Sequence, residues 1–567
     1  MSALDWIVLG AALVGFIAYG AWRGRGSHGL ESYVLADRAL PWGMVALSVM
    51  ATQASATTFL ATPGQAYVDG LRFVQFYFGL PLAMVALSVT LVPLFHRLHV
   101  YTAYEYLERR FDGNTRTLTA VLFLVQRGLA AGITIFAPAL ILSVLLGWNL
   151  HATCLALGAV VVAYTAAGGA RAVGHSHTLQ FLIILGAMAV AFALTVLRLP
   201  HGVGFGDAVG LAGHLGKLHA VDTHFDPTSR YTLWSGLIGG FFLQMSYFGT
   251  DQSQVGRYLT GRSIAHSKMG LLANGLVKVP MQFAILFLGV MVFAFHQLEP
   301  PALWADPVTA AHVARVATGD WRALETRWRD ATGARAEAAR DRVGAARAHD
   351  AAALAAADAA LDASVQRCAA VRADAAALIR ARDPHANPSD TNYIFLGFVL
   401  AHLPAGVIGL VLAAIFAAAM NSISSELNAL SSTTVVDVLR RLPSWPGGER
   451  AELIASRVAT MLWAALAVGF AENASRLGSL VEAVNLLGSL FYGTILGIFL
   501  TAFYCRHVGG RAVFTAALIG EAAVLACFKL TTVSFLWYNV VGCLGVIGVA
   551  LALEPIVGRR GAATARA

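Results

Sequence analysis

The stretch Ala51-Thr52-Gln53-Ala54-Ser55-Ala56-Thr57-Thr58, followed by Phe59 and Pro63-Gly64, lies inside an apolar segment, residues 42–63, long enough to cross a bilayer. Small and hydroxyl residues at that depth let a helix unwind. The carbonyls so released must face a cavity or another protein element, because lipid offers them no hydrogen-bond donor. Close packing of two helices through small residues needs fewer such positions in a row. The stretch therefore predicts a helix broken in the membrane interior.

Working outward, the chain has 567 residues, of which 57% are hydrophobic and 13% charged, and its mean hydropathy is +0.65. A soluble protein of this length needs more polar surface. About 13 stretches have the ~20-residue apolar length of a helical span, near 4–22, 42–63, 73–95, 117–147, 150–167, 177–199, 231–250, 273–295, 406–430, 452–470, 479–504, 512–528 and 532–553. The first lacks a basic leader and a small-residue cleavage site, so it reads as a span, not a signal peptide. An all-α polytopic membrane protein follows.

With the N-terminus outside, the inner loops gather Arg23, Arg25 and Arg38, then Arg97, Arg109, Arg110 and Arg116, then Arg171, Arg440, Arg441, Arg559 and Arg560. The short outer connections hold only Arg72, Arg476 and Lys529. This asymmetry predicts N-out, C-in threading and accounts for a net charge of +8 without nucleic acid. The same threading places residues 303–392 outside. Their 12 Arg balance 12 acidic residues. Leu354, Ala357, Leu361, Ser364, Cys368, Val371, Ala375 and Leu378 recur at spacings of three and four, and Trp321, Leu324, Trp328 and Ala331 begin a similar run. We read an antiparallel helical hairpin there. The five cysteines show no paired or metal-ligand spacing and read as packing residues.

Two more polar clusters interrupt apolar segments, where such residues are costly and mark pathways. One is Asn421-Ser422-Ile423-Ser424-Ser425-Glu426. Ser422, Ser425 and Glu426 share one helical turn, and several hydroxyl oxygens suit a hard cation such as sodium better than a proton, which needs only one titratable group. The other is Gln244-Met245-Ser246-Tyr247-Phe248-Gly249-Thr250-Asp251-Gln252, whose amides and aromatic faces suit an organic solute with an apolar side and a polar edge.

At these residues the chain resembles the sodium:solute symporter family. The likeness extends to Tyr33-Val34-Leu35-Ala36-Asp37-Arg38 ahead of Leu40-Pro41-Trp42, to Thr102 through Phe111, to Tyr247–Gln252 with Arg257-Tyr258-Leu259, and to Asn485-Leu486-Leu487-Gly488-Ser489 with Phe491-Tyr492-Gly493. The insert lies outside it. The resemblance implies a LeuT-type inverted-repeat fold with one extra N-terminal helix. Residues 1–302 would hold that helix, spans two to six and spans seven and eight. After the insert, 393–505 would hold spans nine to eleven, and 506–567 two last helices with a short tail. Spans two and seven would be the discontinuous ones.

By the same resemblance, sodium would be held by the carbonyls of Ala51, Ala54 and Ala418 and by side-chain oxygens of Asn421 and Ser422, with Asn421 standing where the family usually has Ser. A second cation or proton site would use His177, Ser424 and Ser425, although His177 replaces the family's Asp and a neutral imidazole suits sodium poorly. Solute contacts would fall on Gln53, Thr57, Thr58, Gln75, Gln244, Tyr247 and Asn485. Thr57 and Thr58 stand where sugar carriers have acidic or amide groups, which disfavours hexoses. Arg127 in span four could attract an anion, pair locally or snorkel.

The function so implied is sodium-coupled symport of a small organic solute or anion across a plasma membrane of bacterial inner-membrane type. The expected partners are that solute and the bilayer, with monomer or oligomer left open and no organic cofactor. A proton-coupled or cation-independent carrier on the same fold is the alternative, and a membrane sensor a remote one. Nothing in the chain reads as an enzyme: no metal-ligand cluster, phosphate loop or nucleophile–base pair falls in the spans. With His177 in the Asp place, one sodium should accompany each solute; a flux ratio of two measured in vesicles would refute this.

Overall fold

The computed structural model describes every residue except 25–37, 384–386, 388, 444, 446, 473, 475–477 and 558–567. The Tyr33–Asp37 part of the family-like motif therefore lies outside the described residues, as do Arg25, Arg476, Arg559 and Arg560 and the side chains of Arg23 and Arg171. The described chain is helical, with one isolated bridge between Leu40 and Gly261. Nine of the described helices are long and apolar enough to cross a membrane. The count covers described residues only, and the interrupted segments are split into pieces too short to span alone.

The first of these splits is the one expected. Helix α1 is Ala3–Gly24; α2, Trp42–Gln53, stops where Ala54 leaves the helical region at φ −85°, ψ 73°. After an extended Ser55, α3 runs over Ala56–Asp69. A 3₁₀ segment, Gly70–Tyr77, leads to α4, Leu80–Val89, and α5, Leu91–Leu98. A short α6, Glu105–Arg110, precedes α7, Gly113–Leu146.

One expectation needs correcting. Residues 150–167 and 177–199 were read as two spans joined by a loop, but helical backbone runs unbroken through α8, Leu150–Leu197. At ~1.5 Å per residue this path is roughly 72 Å, more than twice a ~30 Å hydrocarbon core, so it is long enough for two crossings with a helical joint. Gly and Ala between the two stretches mislead here, since backbone hydrogen bonding tolerates isolated glycines.

Span seven is also interrupted. A π-helical turn, Ser235–Gly239, follows α9, Phe205–His214, and leads into α10, Gly240–Gly249. The chain breaks at Thr250–Asp251 and resumes as α11, Gln252–Tyr258. Then come α12, Ile264–Leu298, the insert, α16, Thr391–His402, and α17, Val407–Thr433. The apolar window of α17 is 89% buried, against 22% for the last helix, so α17 is the central post and the C-terminal helices line the rim. Helices α18, Glu449–Ala471, α19, Leu480–Tyr504, α20, Gly510–Leu530, and α21, Phe535–Val557, complete the chain.

The insert holds the predicted hairpin and one helix more. A short α13, Pro307–Val316, precedes α14, Thr318–Ala348, and α15, Ala351–Arg382. Between the long pair, His349 takes a left-handed φ of 53° and Asp350 caps α15 through the Ala352 and Ala353 amides. The ion pairs Asp320–Arg382, Arg327–Asp374 and Arg342–Asp358 run in opposite chain directions, as antiparallel packing requires. Trp321, Leu324, Trp328 and Ala331 bury against Cys368, Val371, Ala375 and Ile379. The seam thus ends on Ile379, while Leu354 and Leu378 stay partly exposed.

The insert is fastened to α12 through that helix's last carbonyls, which have no intrahelical donor. Arg335 Nη2 donates to the His296 carbonyl at 2.6 Å and Arg340 Nη2 to that of Leu298 at 3.0 Å. Just beyond, Trp328 Nε1 donates to the Pro301 carbonyl at 2.8 Å.

Helix α12 in turn lies against α3 at a contact only glycine allows. A Cβ on Gly289 would stand 2.1 Å from the Pro63 carbonyl oxygen and 2.7 Å from its Cα. Helix propensity alone predicts that Gly289→Ala stabilises by about 1 kcal/mol. The contact predicts the reverse, a loss on the order of 1–3 kcal/mol. A lower melting temperature of the purified variant bears this out; a higher one refutes the packing.

Candidate functional site

The break in α2/α3 supplies the first elements of the site. The Ala54 amide closes the last turn on the Met50 carbonyl at 2.9 Å, and the Ser55 amide folds back on Gln53 at 3.1 Å. Among the described residues, the Ala51 and Ala54 carbonyls therefore receive no backbone amide across the break. Both residues are fully buried. Helix α17 faces them. Ser422 Oγ donates to the Thr52 carbonyl at 3.1 Å, and Thr52 Oγ1 lies 3.1 Å from Ser425 Oγ. Ser425 and Ser424 also donate back to the Asn421 carbonyl, at 2.8 and 3.1 Å. The Asn421 carboxamide is buried with neither its oxygen nor its nitrogen partnered, and Ala418 is buried one turn away.

Beside this junction is a cavity of about 90 Å³. Its wall brings together Thr52, Gln53, Ser55, Thr57 and Thr58 from the broken helix, Gln244 and Tyr247 from α10, Ser422 and Glu426 from α17, and Asn485 and Tyr492 from α19. Phe76, Tyr77, Arg127 and Thr134 complete much of the rest. Six of the seven solute positions expected from the sequence thus line one space. Gln75 does not. Its amide nitrogen donates to the Tyr231 and Arg72 carbonyls and its oxygen accepts from the Asp222 amide, so it fixes a loop. His177 lies outside the cavity wall too, fully buried, with both ring nitrogens unpartnered among the described residues.

Sequence reasoning missed the charged floor of this cavity. Arg127 Nη1 donates to Glu426 Oε1 at 3.1 Å; its Nη2 pairs with Asp251 and donates to Tyr492 Oη at 2.6 Å. Asp251 is held in turn by the Ser253 amide and hydroxyl, at 2.9 and 2.6 Å, and the Tyr247 ring centroid lies 5.4 Å from the Arg127 guanidinium carbon. The signal for this cluster was present as three ionisable residues in apolar segments. Their meeting was not, because nothing local brings distant positions together.

Side chains also tie the moving parts at both ends. Towards the insert, Glu482 accepts from Arg230 at 2.6 Å and from Tyr231 at 3.2 Å, and Ser479 donates to Gln65 at 2.8 Å. At the opposite end the family-like Thr102–Phe111 motif locks onto the second break. Tyr104 Oη donates to the Thr250 carbonyl at 2.9 Å, and Gln252 Nε2 to that of Tyr101 at 2.9 Å. Arg116 bridges Asp437 and Glu108, each at 2.7 Å. The hydrogen bond from Arg441, with that from Arg116, holds the Glu108 carboxyl below the ordinary glutamate range.

Known proteins resemble this chain. The model of the sodium:solute symporter family matches residues 33–316 and 368–520, passing over most of the hairpin. A sodium-dependent multivitamin transporter of Oryctolagus cuniculus is 27% identical over 522 residues, 90% of this chain and 68% of that one. A human sodium/iodide cotransporter is 32% identical over 305 residues, 53% of this chain and 47% of its own length. Among solved structures, a substrate-bound, outward-open sodium-coupled sialic acid symporter superposes with a TM-score of 0.75, covering 98% of each chain at 20% identity. That match shows a common LeuT-type fold. The family model, which spans most of the sequence, settles the assignment: the chain belongs to the sodium:solute symporter family.

Proposed function

We propose that the chain carries one sodium ion and one small solute inward per cycle, with sodium held where the broken helix meets α17. As a family member it is a multi-pass membrane protein and a sodium-coupled symporter. The proposed ligands are the carbonyls of Ala51, Ala54 and Ala418 with the side-chain oxygens of Asn421 and Ser422. The observation that carries this reading is the 3.1 Å contact from Ser422 to Thr52, which presses the helix break against the hydroxyl-bearing helix. An alkali ion there would replace hydrogen bonds that the break leaves unmade.

Coupling follows from the ligands' origins. They come from two elements, so the ion stabilises whichever state holds these together and is released when they part. Solute binding beside it, against Gln53, Thr57, Thr58, Gln244, Tyr247 and Asn485, favours the same state, and each ligand raises the other's affinity. We place the N-terminus and the insert outside and the Arg116 end in the cytoplasm of a bacterial inner membrane, as the loop charges require.

Sodium itself is the probe for the test. The melting temperature of the purified protein should rise with sodium and not with equal potassium. Ser422→Ala removes one ligand oxygen worth about 1–3 kcal/mol, so its half-maximal sodium concentration should rise roughly tenfold or more. Asn421→Ser, which restores the usual family residue, should keep a sodium response. A Ser422→Ala variant with an unchanged sodium midpoint would remove this site from consideration.

A further inference from the structure

Counted with both carboxylates ionised, the cluster at the cavity floor has one more negative than positive charge. Arg127 faces both Asp251 and Glu426. Its two terminal nitrogens are engaged by those carboxylates and Tyr492, but its Nε has no partner. Glu426 Oε1 takes Arg127 and, at 3.4 Å, Thr134 Oγ1, while Oε2 has no partner. Asp251 is fully used, by Arg127, Tyr492 and Ser253. Arg127 is 3% and Glu426 7% exposed, and both line the cavity. Among the described residues the floor thus leaves one buried donor and one buried acceptor without a partner, each belonging to a charged group, where leaving either unmet is costly.

We propose that this floor recognises a small zwitterion, its ammonium directed to Glu426 Oε2 and its carboxylate to Arg127 Nε, and that it disfavours simple anions. This rests on the symport reading above and names its solute class. Formal charge points the same way. Sodium one helical turn from Glu426 offsets the excess negative charge, and a zwitterion leaves the sum at zero. Iodide or a monocarboxylate would leave a net negative charge buried in low dielectric. Arg127, the one cation among the described residues of this wall, is already matched by two carboxylates and cannot neutralise a third.

The experiment is a thermal-shift panel on the purified full chain, in sodium and in potassium, with alanine and proline against propionate, iodide and ethylamine. Alanine or proline should raise the melting temperature in sodium only, and the three single-charge probes should not. In proteoliposomes, transport of the active amino acid should move one positive charge per solute. Glu426→Gln and Arg127→Lys should each weaken the amino-acid response at least tenfold. Should those variants fail to fold, the panel and the charge-to-solute ratio decide on the unaltered chain. A sodium-dependent shift with propionate or iodide, or none with either amino acid, overturns the zwitterion assignment while leaving symport standing. An amino-acid shift indifferent to sodium supports the assignment and overturns the symport reading instead.

Discussion

In hydrocarbon every backbone amide and carbonyl needs a partner within the protein, and the arrangement of this molecule follows from where that rule is relaxed. The α2/α3 helix lets go at Ala54 and Ser55, and the α10/α11 helix at Thr250 and Asp251. Each break is then served by an element that is itself buried. Helix α17 brings Ser422 and Ser425 to the first. The Tyr101–Tyr104 segment and the Asp251 side chain attend the second. A helix as enclosed as α17 can carry five polar residues among the six from Asn421 to Glu426 only because the breaks beside it make use of them.

The two breaks differ in what they expose. The first releases uncharged carbonyls and is edged with hydroxyls, an environment for a weakly held alkali ion. The second ends in a carboxylate locked to Arg127, so charge and orientation are fixed there before any solute arrives. The cavity is walled by the first break and by Arg127, the partner of the second break's carboxylate, with the Tyr247 ring over the guanidinium.

Much of this was legible in the sequence because the informative signals were local. A run of small and hydroxyl residues at 51–58 and a serine-rich turn at 422–425 each announce their chemistry without reference to distant parts of the chain. The hairpin was legible for the same reason, since a three–four repeat is a property of one helix. What escaped were facts about meeting. Arg127 and Glu426 come from two helices and Asp251 from a helix break, all far apart in the chain, and Gln75 looks like a binding residue until the loop at Asp222 and Tyr231 claims its carboxamide. The joint within α8 escaped because glycines between two apolar stretches look alike whether the backbone turns there or continues as helix.

The insert is bound to α12 by guanidinium and indole groups that cap the end of a helix and the residues just after it, not by a flexible tether. Its paired helices extend a charged, stiff body whose orientation reports that of α12. A transporter of 59.8 kDa that is mostly apolar gives electron microscopy few features by which to align its images. This chain brings its own landmark, one that could be followed directly as the helix beneath it tilts.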